Sequence, residues 1–141
     1  MKQIFKPAIA IALMAFAAGG AQAASTGAKA FQSECSACHM AFPPNLLPKQ
    51  SWDQILATLD NHFGEDASLD ASVVSDIRQY LDANAGRFRS VPNPPPLRIT
   101  ELRWFRGEHG RMFKRAKADP KIGTMSNCLA CHRGGATQDN D

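Results

Sequence analysis

The residues able to do chemistry stand in two copies of one pattern, Cys35-Ser36-Ala37-Cys38-His39 and Cys128-Leu129-Ala130-Cys131-His132. Two thiols three positions apart can add across the two vinyl groups of a single haem, and the His that follows is placed to ligate its iron. Two copies predict two covalently bound haem c groups, held through Cys35 and Cys38 and through Cys128 and Cys131, with His39 and His132 as iron ligands. The chain has four Cys and four His, so the motifs use every Cys and half the His. His62 and His109 are left over, and each falls on the apolar face of a predicted helix. The count therefore predicts two irons with two imidazoles each. A redox dithiol, half of a zinc site or a disulfide framework are the other readings of a C-x-x-C pair. No βαβ pattern accompanies either pair, and each is followed directly by His, which favours haem.

The elements that must position these groups begin after residue 23. Lys2 and Lys6, the apolar run from Ala8 to Ala18, and Ala21-Gln22-Ala23 read as a secretory signal cleaved after Ala23. The run is about half the ~20 residues that a membrane span needs. Export fits the chemistry, and the expected destination is the periplasm. Without Lys2 and Lys6 the chain carries 14 Lys and Arg against 13 Asp and Glu, which gives a nucleic-acid role no support. The charge is unevenly placed. Residues 53 to 82 hold seven acids and one base, whereas residues 98 to 121 hold eight bases and three acids. Solvated helix faces account for most such residues; a patch that steers a partner protein is the sharper reading.

Residues 25 to 35 read as a short helix that leads into the first motif, with Ala28 and Phe31 facing inward. Three prolines between Pro43 and Pro48 exclude a regular helix there, and the predicted apolar loop has carbonyls able to accept the Nδ1 proton of His39. Ser51 as N-cap with Gln54 three residues on is a capping box, and Gly64 stands where a helix-ending glycine belongs. Trp52, Ile55, Leu59 and His62 then share one face, which places His62 on the buried stripe within reach of the first iron. A helix over 69–84 follows, with Asp70 as N-cap, an apolar stripe of Val73, Val74, Ile77, Tyr80 and Leu81, and Gly86 at its end.

Residues 91–96, Val-Pro-Asn-Pro-Pro-Pro, form an extended spacer between residues 24–90 and 97–141. In the second part Thr100 is the expected N-cap of a helix running from Glu101 to about Ala116, with Leu102, Phe105, His109 and Met112 or Phe113 on one face. Gly107 and Gly110 flank His109, each costing about 1 kcal/mol of helix stability relative to Ala. Glycine also lets the backbone approach a flat ring closely. Ser126 or Asn127 is expected to cap the turn that carries the second motif, and the tail from Gly134 is polar. The second part is close to the size of about 40 residues below which a core needs a metal, disulfide or partner. The expected fold is all-α, two small haem-c lobes of which the first is cytochrome c-like and the second a short helical lobe packed around its haem.

Several stretches together, Cys35 to Pro48, Ser51-Trp52, Asn61-His62-Phe63-Gly64-Glu65-Asp66-Ala67, Arg98-Ile99-Thr100-Glu101, Trp104-Phe105-Arg106 and Ser126-Asn127-Cys128, make the chain similar to the bacterial dihaem cytochrome c family. The resemblance spans nearly all of residues 24–141. It implies a periplasmic electron carrier with two bis-histidine, low-potential haems, and redox partners such as a membrane cytochrome b and an oxygen-binding monohaem cytochrome c. It also implies His39 and His62 as ligands of haem 1, and His132 and His109 as ligands of haem 2. Residue counting alone leaves open a crossed pairing in which His62 reaches haem 2.

Two classes of function fit. An electron carrier needs both irons saturated by protein ligands. A dihaem peroxidase, or a nitrogen-oxide or oxygen-binding haem protein, needs one open iron, and no surplus His exists to serve beside it as acid or base. The first class is therefore the expectation.

Overall fold

The computed structural model describes residues 19 to 132. Most of the expected signal segment and the polar tail lie outside the described residues, and the expected cleavage point after Ala23 falls within the first helix. Five helices occur among the described residues: α1 (Gly19–Cys35), α2 (Lys49–Ala57), α3 (Ala71–Asn84), α4 (Arg103–His109) and α5 (Met112–Ala118). Single 3-10 turns separate α1 to α4 and another follows α5, and no strand occurs among the described residues beyond two isolated bridges. The fold is all-α.

The first three helices form one packed unit. α1 lies against α3 so closely at Gly27 that a side chain there would collide with the Asp76 carbonyl and the Tyr80 Cβ. Phe31 of α1 meets Trp52 of α2 edge-on at 6.0 Å, and Ile77 and Leu81 of α3 are almost wholly buried beneath them. Lys49, Asp53, Arg78 and Asp82 tie α2 to α3 at the surface through ion pairs of 2.6 to 3.0 Å. Exposed pairs of this kind contribute at most about 1 kcal/mol each, so the apolar contacts dominate.

The Pro-rich stretch is a loop, as its composition requires, with one 3-10 turn over Pro44–Leu46. It is pinned to the core, because the Trp52 indole donates to the Pro44 carbonyl at 2.8 Å and the Gly86 amide donates to the Leu47 carbonyl at 2.8 Å. Two expectations about α2 fail. Pro48, not Ser51, is its N-cap, and its carbonyl accepts from both the Ser51 and Trp52 amides at 3.0 and 3.3 Å. A proline just ahead of the first turn has its φ pre-set and lacks the amide that the turn would leave unpaired. Ser51 is consequently inside the helix, fully buried, with no hydrogen-bond partner for its Oγ among the described residues.

The second failure concerns the other end of α2. The helix stops at Ala57, where the Thr58 hydroxyl bonds back to the Gln54 carbonyl at 3.0 Å, and a 3-10 turn over Leu59–Asn61 follows. His62 therefore does not continue the helical stripe but enters a separate turn.

α3 starts after Asp70 as expected, although its carboxylate makes no capping bond. Beyond the spacer the expected single helix is divided. A 3-10 turn occupies Ile99–Glu101, Leu102 is the N-cap of α4, and Gly110 and Arg111 interrupt the run before α5. Both interrupting residues keep right-handed helical dihedrals, so the chain holds its course while the helix loses continuity at its weakest helix former. Leu102 and Phe105 belong to the same buried apolar cluster as Phe31, Trp52 and Ile77, so the core runs on across the spacer.

Candidate metal centres

Each of the two Cys-x-x-Cys-His motifs sits at the end of a helical turn. The first follows α1 directly: the Ser36 and Ala37 amides extend the helix by bonds to the Gln32 and Glu34 carbonyls at 3.3 and 3.4 Å. Cys35 stays half-buried on the helix, while Cys38 and His39 are brought to the surface. The second is a 3-10 turn, Cys128–Ala130, held by bonds from the Cys131 and His132 amides to the Cys128 carbonyl at 3.1 and 2.8 Å. Asn127 is its N-cap, but its side-chain amide donates to the Ile122 carbonyl at 3.1 Å instead of capping the turn.

His39 donates from Nδ1 to the carbonyl of Met40 at 2.7 Å, which fixes the tautomer with the Nε2 lone pair free for a metal. Facing it is His62. Their ring centroids are 6.2 Å apart and their planes differ by 23°. His62 is held by the turn His62 to Glu65, closed by reciprocal backbone bonds of 2.7 and 3.2 Å. Phe63 and Gly64 take positive φ values of 56° and 104° at its centre, a conformation that costs a bulky residue about 1 kcal/mol and glycine almost nothing. Gly64 is thus a turn glycine and not the end of α2. Partial burial, then the nearby charges of His39 and Arg98, hold the His62 imidazole below its ordinary pKa. The lowered pKa favours the neutral ring that a metal requires of an imidazole.

The second pair is built in the opposite chain order. His109, the last residue of α4, lies 6.0 Å from His132 between ring centroids, with planes crossed by 62°. Its Nδ1 donates to the Phe105 carbonyl at 3.2 Å, and its ring stacks on that of Phe105 at 4.2 Å. Sequence reasoning placed Phe105 on the same face as His109 but missed its orienting role. Its position four residues earlier on a helix was the available signal.

These distances test whether iron fits. Imidazole nitrogens bind first-row metal ions at about 2 Å, and with each ring centroid roughly 1 Å behind its nitrogen, two imidazoles on one metal have centroids about 6 Å apart. Both pairs meet that requirement. The structure also brings the pairs together within each half: His39 with His62, and His109 with His132.

Burial, and next the carboxylate of Glu34, pushes the Cys35 thiol up to about 11, and burial raises that of Cys128. Without a metal to deprotonate them, these two thiols are poor thiolates, unlike those of a reactive dithiol. Among the described residues no three His, Cys, Asp or Glu side chains converge as a zinc site requires. Among the described residues three large apolar side chains are exposed, Phe63, Trp104 and Leu129. Phe63 adjoins His62, Leu129 lies within the second motif, and Trp104 packs edge-on against Phe105. All three suit the border of an apolar macrocycle.

The family model described as dihaem cytochrome c matches residues 31–140. The chain belongs to this family. A dihaem cytochrome of this family carries two covalently bound haem c groups, and the chain has one Cys-x-x-Cys-His motif for each. Among solved structures, a DHC purified from Rhodobacter sphaeroides is 47% identical, covering 75% of this chain and 90% of that one, with a TM-score of 0.62. A diheme cytochrome c from the same organism is 45% identical over the same shares, with a TM-score of 0.63. A new diheme cytochrome type c from Shewanella baltica OS155 is 39% identical, covering 76% of this chain and 81% of that one, with a TM-score of 0.67. Among curated proteins there is no match.

Proposed function

We propose that this cytochrome is a periplasmic, low-potential electron carrier in which both irons are bound by two imidazoles. His39 and His62 serve the haem attached to Cys35 and Cys38; His132 and His109 serve the haem attached to Cys128 and Cys131. The observation that carries this reading is the pair of centroid distances, 6.2 and 6.0 Å. Each haem, when bound, supplies one-electron exchange between ferric and ferrous iron. The chain's own contribution is to hold the four imidazoles. Met40 and Phe105 accept the Nδ1 protons of His39 and His109, which keeps the rings oriented through a change of iron charge. Two imidazoles without a thioether ligand favour a low potential, since Met ligation raises it.

The basic face of the second half supports docking to an acidic redox partner. Arg103, Arg106, Arg111, Lys114, Arg115, Lys117 and Lys121 are all exposed, and none enters an ion pair among the described residues. Unpaired positive charge raises the rate of encounter with a negative surface. A membrane cytochrome b and an oxygen-binding monohaem cytochrome c are the partners we propose.

Low-temperature electron paramagnetic resonance of the oxidised cytochrome tests the axial assignment. Two low-spin ferric signals are expected, one from nearly parallel and one from strongly crossed imidazole planes. A high-spin signal at either iron, or the far-red ferric absorption band of Met coordination from Met40, Met112 or Met125, would refute it. An open iron would instead favour a dihaem enzyme or a gas-binding protein.

A further inference from the structure

The two halves meet at the distal side of the first centre. Arg98, which follows the spacer, places its guanidinium carbon 4.0 Å above the centroid of the Phe63 ring. Phe63 in turn sets its ring edge-on against His62, 4.8 Å between centroids and 66° between planes. The platform is rigid on both sides. Phe63 is locked in the left-handed region by the closed His62 to Glu65 turn, and the Arg98 carbonyl accepts from the Glu101 amide at 3.0 Å. Leu97 lines the cavity around His62 together with Ile55 and Phe63.

Arg98 makes one ion pair among the described residues, long and open to solvent. Its Nε lies 3.9 Å from the Glu101 carboxylate, with both side chains about half exposed. The aromatic face therefore fixes the guanidinium position, and the solvent-screened pair with Glu101 compensates its charge only in part. A fixed positive charge beside an iron ligand disfavours the ferric state, which carries one more positive charge than the ferrous state.

We propose that Arg98 is a positioning residue for the electrostatics of the first centre: held on Phe63 against His62, it raises the reduction potential of haem 1 and leaves haem 2 unaffected. This rests on the assignment of His62 as a ligand of haem 1. It gives the second half a direct influence on a haem attached to the first. It also gives the Phe63 turn a purpose beyond presenting His62.

The test is a redox titration of the holo-cytochrome followed by electron paramagnetic resonance, which separates the haems by their different imidazole-plane angles. Arg98→Gln is expected to shift the haem 1 midpoint negative with haem 2 unmoved. Arg98→Lys, which keeps the charge, should retain most of the wild-type value. Glu101→Gln, which removes the partial counter-charge without disturbing the Phe63 platform, should shift haem 1 positive. An unchanged haem 1 midpoint in Arg98→Gln, equal shifts at both haems, or an Arg98→Lys shift as large as that of Arg98→Gln would overturn the proposal. High-spin haem 1 in the wild type would overturn the His62 assignment and the proposal with it, a result visible before any variant is compared.

Discussion

The holding of His109 can be tested through the two glycines beside it. α4 has only seven residues, and an imidazole at its last position can leave iron if the helix end frays. Gly107 lies inside this helix, and a Cβ there would meet nothing within 4 Å. Gly107→Ala should therefore stabilise α4 by about 1 kcal/mol, the propensity difference between the two residues, with no steric penalty from the protein's own atoms. Gly110 differs, since a Cβ there would lie 2.8 Å from the Arg106 carbonyl oxygen, too close without a backbone shift. Reduced cytochrome mixed with carbon monoxide reports the opening, because the incoming ligand must wait for the imidazole to leave. A change of 1 kcal/mol in the opening equilibrium corresponds to about fivefold in rate at haem 2. Gly107→Ala should slow carbon monoxide binding by that factor, whereas Gly110→Ala should not slow it. Equal or faster binding by Gly107→Ala would show that α4 does not govern access to haem 2. Equal slowing by both variants would refute the steric distinction between them.

Substituting His109→Ala should create one carbon monoxide site per molecule and high-spin ferric iron at haem 2, with haem 1 still low-spin; unchanged spectra would exclude His109 as a ligand. Reversing charge at Arg111 or Lys114 should slow association with an acidic partner and flatten its salt dependence in stopped-flow measurements, while rates insensitive to ionic strength in the wild type would deny the basic face a steering role. Because burial, then the charges of His39 and Arg98, hold His62 below the ordinary imidazole value of 6.5, the folded chain binds fewer protons there than the unfolded chain. The associated stability is present above that value and is lost as pH falls below it. Acid titration of the haem-free chain should show this loss, and His62→Gln should remove that component of the pH dependence.

The haem chemistry was legible because a fixed spacing of Cys and His is imposed by the macrocycle and owes little to tertiary structure. The proximal carbonyl was legible for a similar reason, since Met40 adjoins His39 in the chain. The helix boundaries were less so. Ser51 and Gln54 form a plausible capping box, but Pro48 can begin the same helix earlier, and burial of Ser51 then overrides its local preference. His62 continues a 3-4-3 spacing from Trp52, yet Thr58 ends α2 through its own backbone bond, a competition that periodicity does not register. Phe63 in the left-handed region has no propensity signal, because the turn is set by its closure at His62 and Glu65. The contact of Arg98 with Phe63 joins residues on opposite sides of the spacer and could come only from three dimensions.

The opposite chain order of the two imidazole pairs has a consequence for assembly. His62 lies twenty-three positions after His39, and His109 lies the same distance before His132. Closing either loop costs about 3 kcal/mol of chain entropy, so neither centre is easier to complete on that ground. Synthesis from the N-terminus nevertheless meets them differently. A nascent chain presents both thiols and the proximal imidazole of the first centre before its second imidazole exists. At the second centre the distal imidazole is already waiting when the thiols emerge. A haem attached as the chain emerges would therefore find one imidazole at the first site and both at the second.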